Sequence, residues 1–224
     1  LQPNAKNALA LFLRNPNRPL MVLKADDQAE YASLLEGFIQ KHQPEMGVCG
    51  VQYHVEQGDS FSFPRVYAEP AQSLEDNFAA KKSVATALYF DQFQLFGSLK
   101  VHASSHDIQL HAGLVHQLNN GVLIVTAGAL LAQFDLWQRL KQILTTGMFD
   151  WYSAHPFKTL PCEIPSYPLS LKVIVLGNRT ELAALEELEE ALYHLADYAE
   201  IESYCSVETA EQQQQWMSYV QCVA

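Results

Sequence analysis

The sequence predicts an α/β domain built on a mainly parallel sheet covered on both faces. Two observations carry this. Short, continuous apolar runs recur as buried strands, most clearly GVLIV (121–125) and LSLKVIVLG (169–177). Segments of helical period lie between such runs, so each strand-to-strand connection is long enough for a crossover. With 49% hydrophobic residues, 224 residues suffice for a substantial core.

The elements follow in order. AKNALALFLR (5–14) suits a short amphipathic helix, and NPNRP (15–19) is a turn cluster. PLMVLK (19–24) reads as a buried strand. In the next segment (25–43), Tyr31, Leu34, Leu35, Phe38 and Ile39 share one helical face, with Asp26 or Asp27 as N-cap. GVCGVQYHVEQ (47–57) is expected to be the second core strand. Residues from about 58 to 117 then form an insertion. It should hold an extended SFSFPRVYAEPAQ, a helix begun by Ser73 with Asp76 near its start, and a β-hairpin with Leu99, Val101, Ile108 and Leu110 in alternation.

The third core strand is Gly121 to Val125, followed by one helix from about Gly128 to Thr145. A loop rich in proline and aromatics (149–168) leads to the strand at 169–177. An acidic helix (180–198), a last strand (200–205) and a closing helix complete the chain, with Trp216, Val220 and Val223 expected as a buried stripe.

Charge and composition exclude several functions. The net charge of -11 and the lack of any basic run argue against a nucleic-acid partner, which needs clustered Lys and Arg. No apolar run approaches the roughly 20 residues of a membrane span. Cys49, Cys162, Cys205 and Cys222 are scattered without a C-x-x-C pair, so neither a zinc site nor a disulfide framework is expected. Reduced thiols in a cytoplasmic protein are the expectation. A start at Leu1 without a signal peptide, and an end at SYVQCVA without a polar tail, suit a segment of a longer protein.

The order of pieces QLFGSLKV (94–101), LHAGLVHQLNNGVLIVTAGALL (110–131), WQRLKQIL (137–144) and PLSLKVIVLGNRTEL (168–182) resembles the AAA+ module of Lon-like ATP-dependent proteases, in particular a divergent bacterial Lon-like group. The resemblance covers about residues 19 to 205 and is best from Leu95 to Glu181. It implies a three-layer P-loop NTPase-like core carrying a hairpin-bearing insertion. In intact members it implies ATP with magnesium, ring assembly of usually six subunits, threading of polypeptide substrates, and a separate peptidase domain with a Ser-Lys dyad. That peptidase domain and most of the helical lid should lie beyond residue 224, leaving one AAA+ domain over 1–224 and no catalytic residue in this chain.

The resemblance also points to three nucleotide-binding places. A phosphate cradle needs glycines, a Lys after them and a Ser or Thr for magnesium. The matching turn LKADDQAEY (23–31) has no glycine, and Lys24 precedes it. Asp26 and Asp27 at the helix mouth would each repel a phosphate by about 4 kcal/mol per charge pair at ~4 Å. A carboxylate pair should end the third strand, where Thr126 and Ala127 stand instead. Ala127 cannot act as a base. Asn178 matches a polar sensor and equally suits a strand-ending turn, while the adjacent Arg179 reads as a solvated cation. Lys24, Asp26, Asp27, Thr126, Ala127 and Asn178 are thus vestigial nucleotide-binding positions, and no cofactor is expected in this chain.

The expected function is a nucleotide-inactive AAA+ module serving ring assembly, substrate handling or the placing of a peptidase domain. Two rivals are an active ATPase using unorthodox ligands such as Lys24 and Asn178, and an interaction module unconnected with proteolysis. His102, His106, His111 and His116 lack a ligand spacing, and His116 is expected to support the Asn119-Asn120 turn. Glu186, Glu187, Glu189 and Glu190 are expected on a solvated face, and Phe93, Leu95 and Phe96 in the core.

Overall fold

A computed structural model describes residues 2–26, 28–42, 47–58, 64–101, 108–151, 160, 162–202 and 207–223. The chain opens with α1 (Pro3–Arg14), β1 (Leu20–Lys24) and α2 (Gln28–His42). Next come β2 (Gly50–Glu56), β3 (Arg65–Pro70), β4 (Phe78–Ala79) and β5 (Val84–Ala87). Then follow α3 (Gln92–Phe96), β6 (Ser98–Val101), β7 (Ile108–His111) and α4 (Leu114–Gln117). The second half holds β8 (Gly121–Thr126), α5 (Ala127–Ala132), α6 (Phe134–Thr146), β9 (Met148–Phe149), β10 (Tyr167–Pro168) and β11 (Leu171–Gly177). It ends with α7 (Arg179–Leu188), α8 (Leu192–Leu195), β12 (Ala196–Glu200) and α9 (Ala210–Val223).

The expected parallel α/β core is present. Five strands run parallel in the order β12-β1-β11-β8-β5. Their side chains alternate between two cores, as strand geometry requires. Leu123, Val125, Val173 and Val175 face Trp137, Leu140 and Ile143 of α6 and Leu185 of α7. Val122, Ile124, Ile174 and Leu176 face Leu9 and Phe12 of α1 and Leu35 and Ile39 of α2. Both faces are apolar, which explains the unbroken hydrophobic runs of β8 and β11.

Several expected elements differ. The second strand of this sheet is β5, paired with β8, and not the run at 47–57. That run supplies β2, the centre of an antiparallel sheet β3-β2-β4. The helix expected from Ser73 is replaced by a turn, β4 and β5. Asp76 accepts the backbone N–H groups of Gln72 and Ser73 (2.7 and 2.9 Å), and Ser73 Oγ accepts that of Glu75 (3.1 Å). Polar caps that could start a helix close a turn here, because the small and β-branched VATA run pairs at a sheet edge.

The helix expected over 128–145 breaks at Gln133, which leaves helical geometry (φ -137°) and donates its side-chain amide to the Phe90 carbonyl. The helix expected to 198 stops at Leu188, and the last strand is 196–200, earlier than 200–205. α9 does not bury its expected stripe: Trp216 is 49% and Val220 45% exposed, and the Val223 side chain lies outside the described residues. The β6–β7 hairpin forms as expected. No helix among the described residues is long and apolar enough to cross a membrane.

At the base of this hairpin Gly97 adopts φ +77°, and an added Cβ would stand 2.2 Å from the His111 carbonyl oxygen. Gly97→Ala is expected to destabilise the fold by at least about 2 kcal/mol, from the left-handed strain plus the clash. A urea melt checks this; an unchanged midpoint would contradict it.

Candidate functional site

β1, β11 and β8 lie side by side, with Lys24 opposite Gly177 and Leu176 opposite Thr126. This register brings Lys24, Thr126, Ala127 and Asn178 to one edge of the sheet, at the carboxyl ends of the strands, where open α/β sheets bind ligands. Asp26 follows at the exposed surface. Asp27 lies outside the described residues.

Lys24, Thr126 and Asn178 are each bonded within the protein itself. Lys24 Nζ donates to Glu200 Oε1, at the end of the neighbouring β12. The Ala25 N–H donates to the Gly177 carbonyl (3.0 Å), and the Lys24 carbonyl accepts from Ile201 (2.9 Å). Thr126 Oγ1 donates to the Leu88 carbonyl and accepts the Ala129 N–H, both at 3.2 Å, so it caps α5. Ala127 is fully buried, and its methyl lies 2.9 Å from where a Cβ on Gly177 would be. Asn178 Oδ1 accepts the N–H groups of Thr180 and Glu181 at 3.0 Å. Glu181 Oε2 returns the bond by accepting the Asn178 N–H at 3.0 Å, a reciprocal capping box at the start of α7. Arg179 is exposed.

Sequence reading missed Gln28, Gly128, Glu181 and Glu200 at this edge. Gln28 Nε2, in the first turn of α2, also donates to Glu181 Oε2. A Cβ on Gly128 would stand 3.0 Å from Glu181 Oε1. The spacing Asn-x-x-Glu at 178–181 is a legible capping-box signal; nothing local marks Gln28 as the partner of Glu181, or Glu200 as that of Lys24.

The donor set does not fit Mg-ATP. Only residues 25–27 separate β1 from α2, against eight residues in the phosphate-binding loop motif, and none of the three is glycine. No carboxylate ends β8, and the Asn178 side-chain oxygen is turned into a helix cap. A hollow of about 830 Å³ opens instead near the amino ends of the strands, between Arg14, Cys49, Asn119, Thr146 and Lys172. It lies away from the expected site, and Lys172 Nζ there is engaged by the carbonyls of Phe12, Asn15 and Arg18 (2.8, 2.5 and 3.2 Å) at the end of α1.

His102 and His106 lie outside the described residues, and His111 is exposed. Among the described residues no group of three His, Cys, Asp or Glu could hold a metal. His116 supports the Asn119-Asn120 turn through its backbone carbonyl, which accepts the Asn119 N–H (3.4 Å), and not through its ring. The Asn119 side chain also holds the turn, accepting the Ser170 N–H (3.0 Å) and donating to the Pro168 carbonyl (3.3 Å). His116 is fully buried among Phe78, Phe149, Trp151 and Tyr167. Its Nε2 meets the Phe96 carbonyl at 3.1 Å, which can only accept, so Nε2 carries the proton and Nδ1 accepts the Tyr167 hydroxyl. Burial pushes the His116 pKa down to about 3, helped by Arg139 and opposed by the Phe96 carbonyl.

Glu189, expected on a solvated face, is buried under α6 instead. Leu95 and Phe96 are buried as expected, whereas Phe93 is 58% exposed.

Comparison with known proteins accords with the parallel α/β fold. The family "LonB-like, AAA domain" matches residues 82–197. A protein of Haemophilus influenzae named "Putative Lon protease homolog" is 63% identical over all of this chain and 37% of its own length. A protein of the same name from Escherichia coli strain K12 is 37% identical over 98% of this chain and 36% of its own length. The chain therefore spans little more than a third of these relatives. Among solved structures, a chain from the complex between subunits BchI and BchD of magnesium chelatase, based on a single-particle cryo-EM reconstruction, superposes with TM-score 0.54 at 15% identity. That match covers 96% of this chain and 64% of the other, and shows a shared fold.

Proposed function

The chain belongs to the LonB-like AAA domain family, and from that premise we propose that it is a nucleotide-inactive AAA+ module of a longer Lon-like protein. Its work is mechanical: it assembles with copies of itself, handles polypeptide substrate, or positions a Ser-Lys peptidase domain elsewhere in the protein. The whole of 1–224 forms this one domain, and the lid and peptidase belong to other parts of the protein. It neither hydrolyses ATP nor requires magnesium, and it has no nucleic-acid partner. It acts in the cytoplasm.

The observation that carries this reading is the β1–α2 junction. Three residues without glycine connect the strand to the helix, and the first helical side chain, Gln28, is bonded to Glu181. The absence of a carboxylate after β8 supports it independently. An ATPase working through Lys24 and Asn178 would have to break the Lys24–Glu200 pair and the cap of α7 before either could reach a phosphate.

A calorimetric titration with Mg-ATP tests the proposal. No saturable heat is expected up to millimolar nucleotide, in the wild type or in Lys24→Ala. Micromolar binding lost in Lys24→Ala would overturn it in favour of unorthodox phosphate ligands.

A further inference from the structure

Three strand-to-helix junctions converge on one carboxylate. From the β1 junction, Gln28 of α2 donates its amide to Glu181 Oε2. From the β11 junction, the Asn178 N–H donates to the same oxygen at 3.0 Å. At the β8 junction α5 approaches the other oxygen through Gly128, where a Cβ would come within 3.0 Å of Oε1. α5 and α7 are held close by the same economy of side chains, since a Cβ on Gly177 would meet Leu182 at 2.8 Å and Ala127 at 2.9 Å. Glu181 is only half-buried, so its charge is hydrated as well as bonded.

An anion held by N–H donors where helix N-termini meet is also what a bound phosphate would be at this edge of such a sheet. We infer that Glu181 is a built-in anion standing in for a nucleotide's phosphates, clasping α2, α5 and α7 together without any ligand. This rests on the reading that the module works without nucleotide. It adds that the three junctions are held in one arrangement by the chain itself. Glu181 is a positioning residue: it acts on α2 through Gln28 and on α5 through its close approach to Gly128, where no Cβ intervenes. A residue that only caps its own helix would leave α2 and α5 untouched.

Hydrogen exchange on the intact protein separates these roles. In Glu181→Ala, peptides covering 28–36 are expected to exchange about tenfold faster, the effect of losing a hydrogen bond to a charged group, and those covering 126–132 to exchange faster as α5 loses the close approach at Gly128. Formate or sulfate at millimolar concentration should restore protection in this variant and leave the wild type unchanged. Gln28→Ala should release α2 while α5 keeps its protection. Glu181→Gln, which keeps the shape and loses the charge, should show the same pattern more weakly and serves if the alanine variant does not fold.

Acceleration confined to α7, or no recovery with either anion, overturns the clasp and leaves the nucleotide-free reading standing. Protection of 126–132 gained by the wild type on adding Mg-ATP overturns that reading, and the stand-in for phosphate with it.

Discussion

Acidification from pH 6.5 towards 4 is expected to destabilise this protein before most of its carboxylates titrate. The cause is His116. Its pKa is depressed from the ordinary 6.5 to about 3, first by burial, with Arg139 adding repulsion. Below pH 6.5 the unfolded chain binds a proton at this site and the folded chain does not. Stability from the neutral ring is therefore complete above pH 6.5, and is lost as pH falls from 6.5 to about 3. Linkage makes the slope roughly 1.4 kcal/mol per pH unit between these values, and the full loss about 5 kcal/mol.

The Phe96 carbonyl relieves part of this cost, and burial outweighs it. Both nitrogens already have partners, and Nδ1 accepts from Tyr167, whose own hydroxyl is held well above its ordinary pKa by burial. A proton on Nδ1 would oblige the Tyr167 hydroxyl to turn from donor to acceptor, in a site walled by Phe149 and Trp151. The check is urea unfolding at pH 6.5, 6.0, 5.5 and 5.0, with His116→Gln as control. The slope should vanish in the variant. A flat profile in the wild type would sink the assignment.

Replacing Glu189 by alanine is expected to cost about 3 kcal/mol, among the larger effects of a single polar side chain in this fold. Glu189 Oε2 accepts from Lys141 Nζ (2.6 Å), Gln138 Nε2 (3.1 Å) and the buried Trp137 Nε1 (3.2 Å). Oε1 accepts the Ala191 N–H at 3.3 Å and so tethers the break between α7 and α8. Truncation leaves the Trp137 donor unsatisfied beside an unpaired ammonium. The Lys141 side chain retains 25% exposure and can turn to water, which keeps the cost at the lower end for a broken buried pair.

Burial alone would raise the Glu189 pKa, but the bonds from Lys141, Gln138 and Trp137 outweigh it and hold the carboxyl below its ordinary 4.5. Its contribution is thus present above about pH 4.5 and lost as pH falls through the folded value, below the upper part of the His116 window. Urea unfolding of Glu189→Ala at pH 7 checks the magnitude. A change below about 0.5 kcal/mol, typical of an innocuous surface substitution, would refute it.

The same residue marks where sequence reading stops. Glu186, Glu187, Glu189 and Glu190 look alike in the sequence, yet only Glu189 is buried, because α7 ends beside it and α6 presents three donors from another part of the chain. Gln133 likewise ends α5 by bonding to Phe90, some forty residues away, against an uninterrupted helical period. β5 was hidden for a related reason: its four residues acquire strand character only through pairing with β8.

By itself the sequence determined the α/β class, the three central strands, the hairpin, and the lack of glycines and of a carboxylate pair at the expected phosphate site. Those features rest on side-chain period and on which atoms a residue possesses, both of which are local. Only the tertiary structure decided that Lys24 is bonded to Glu200, that Asn178 caps α7, and that Gln28, Gly128 and Glu181 converge. A polar group's partner is set by the register of parallel strands, and that register joins segments more than a hundred residues apart.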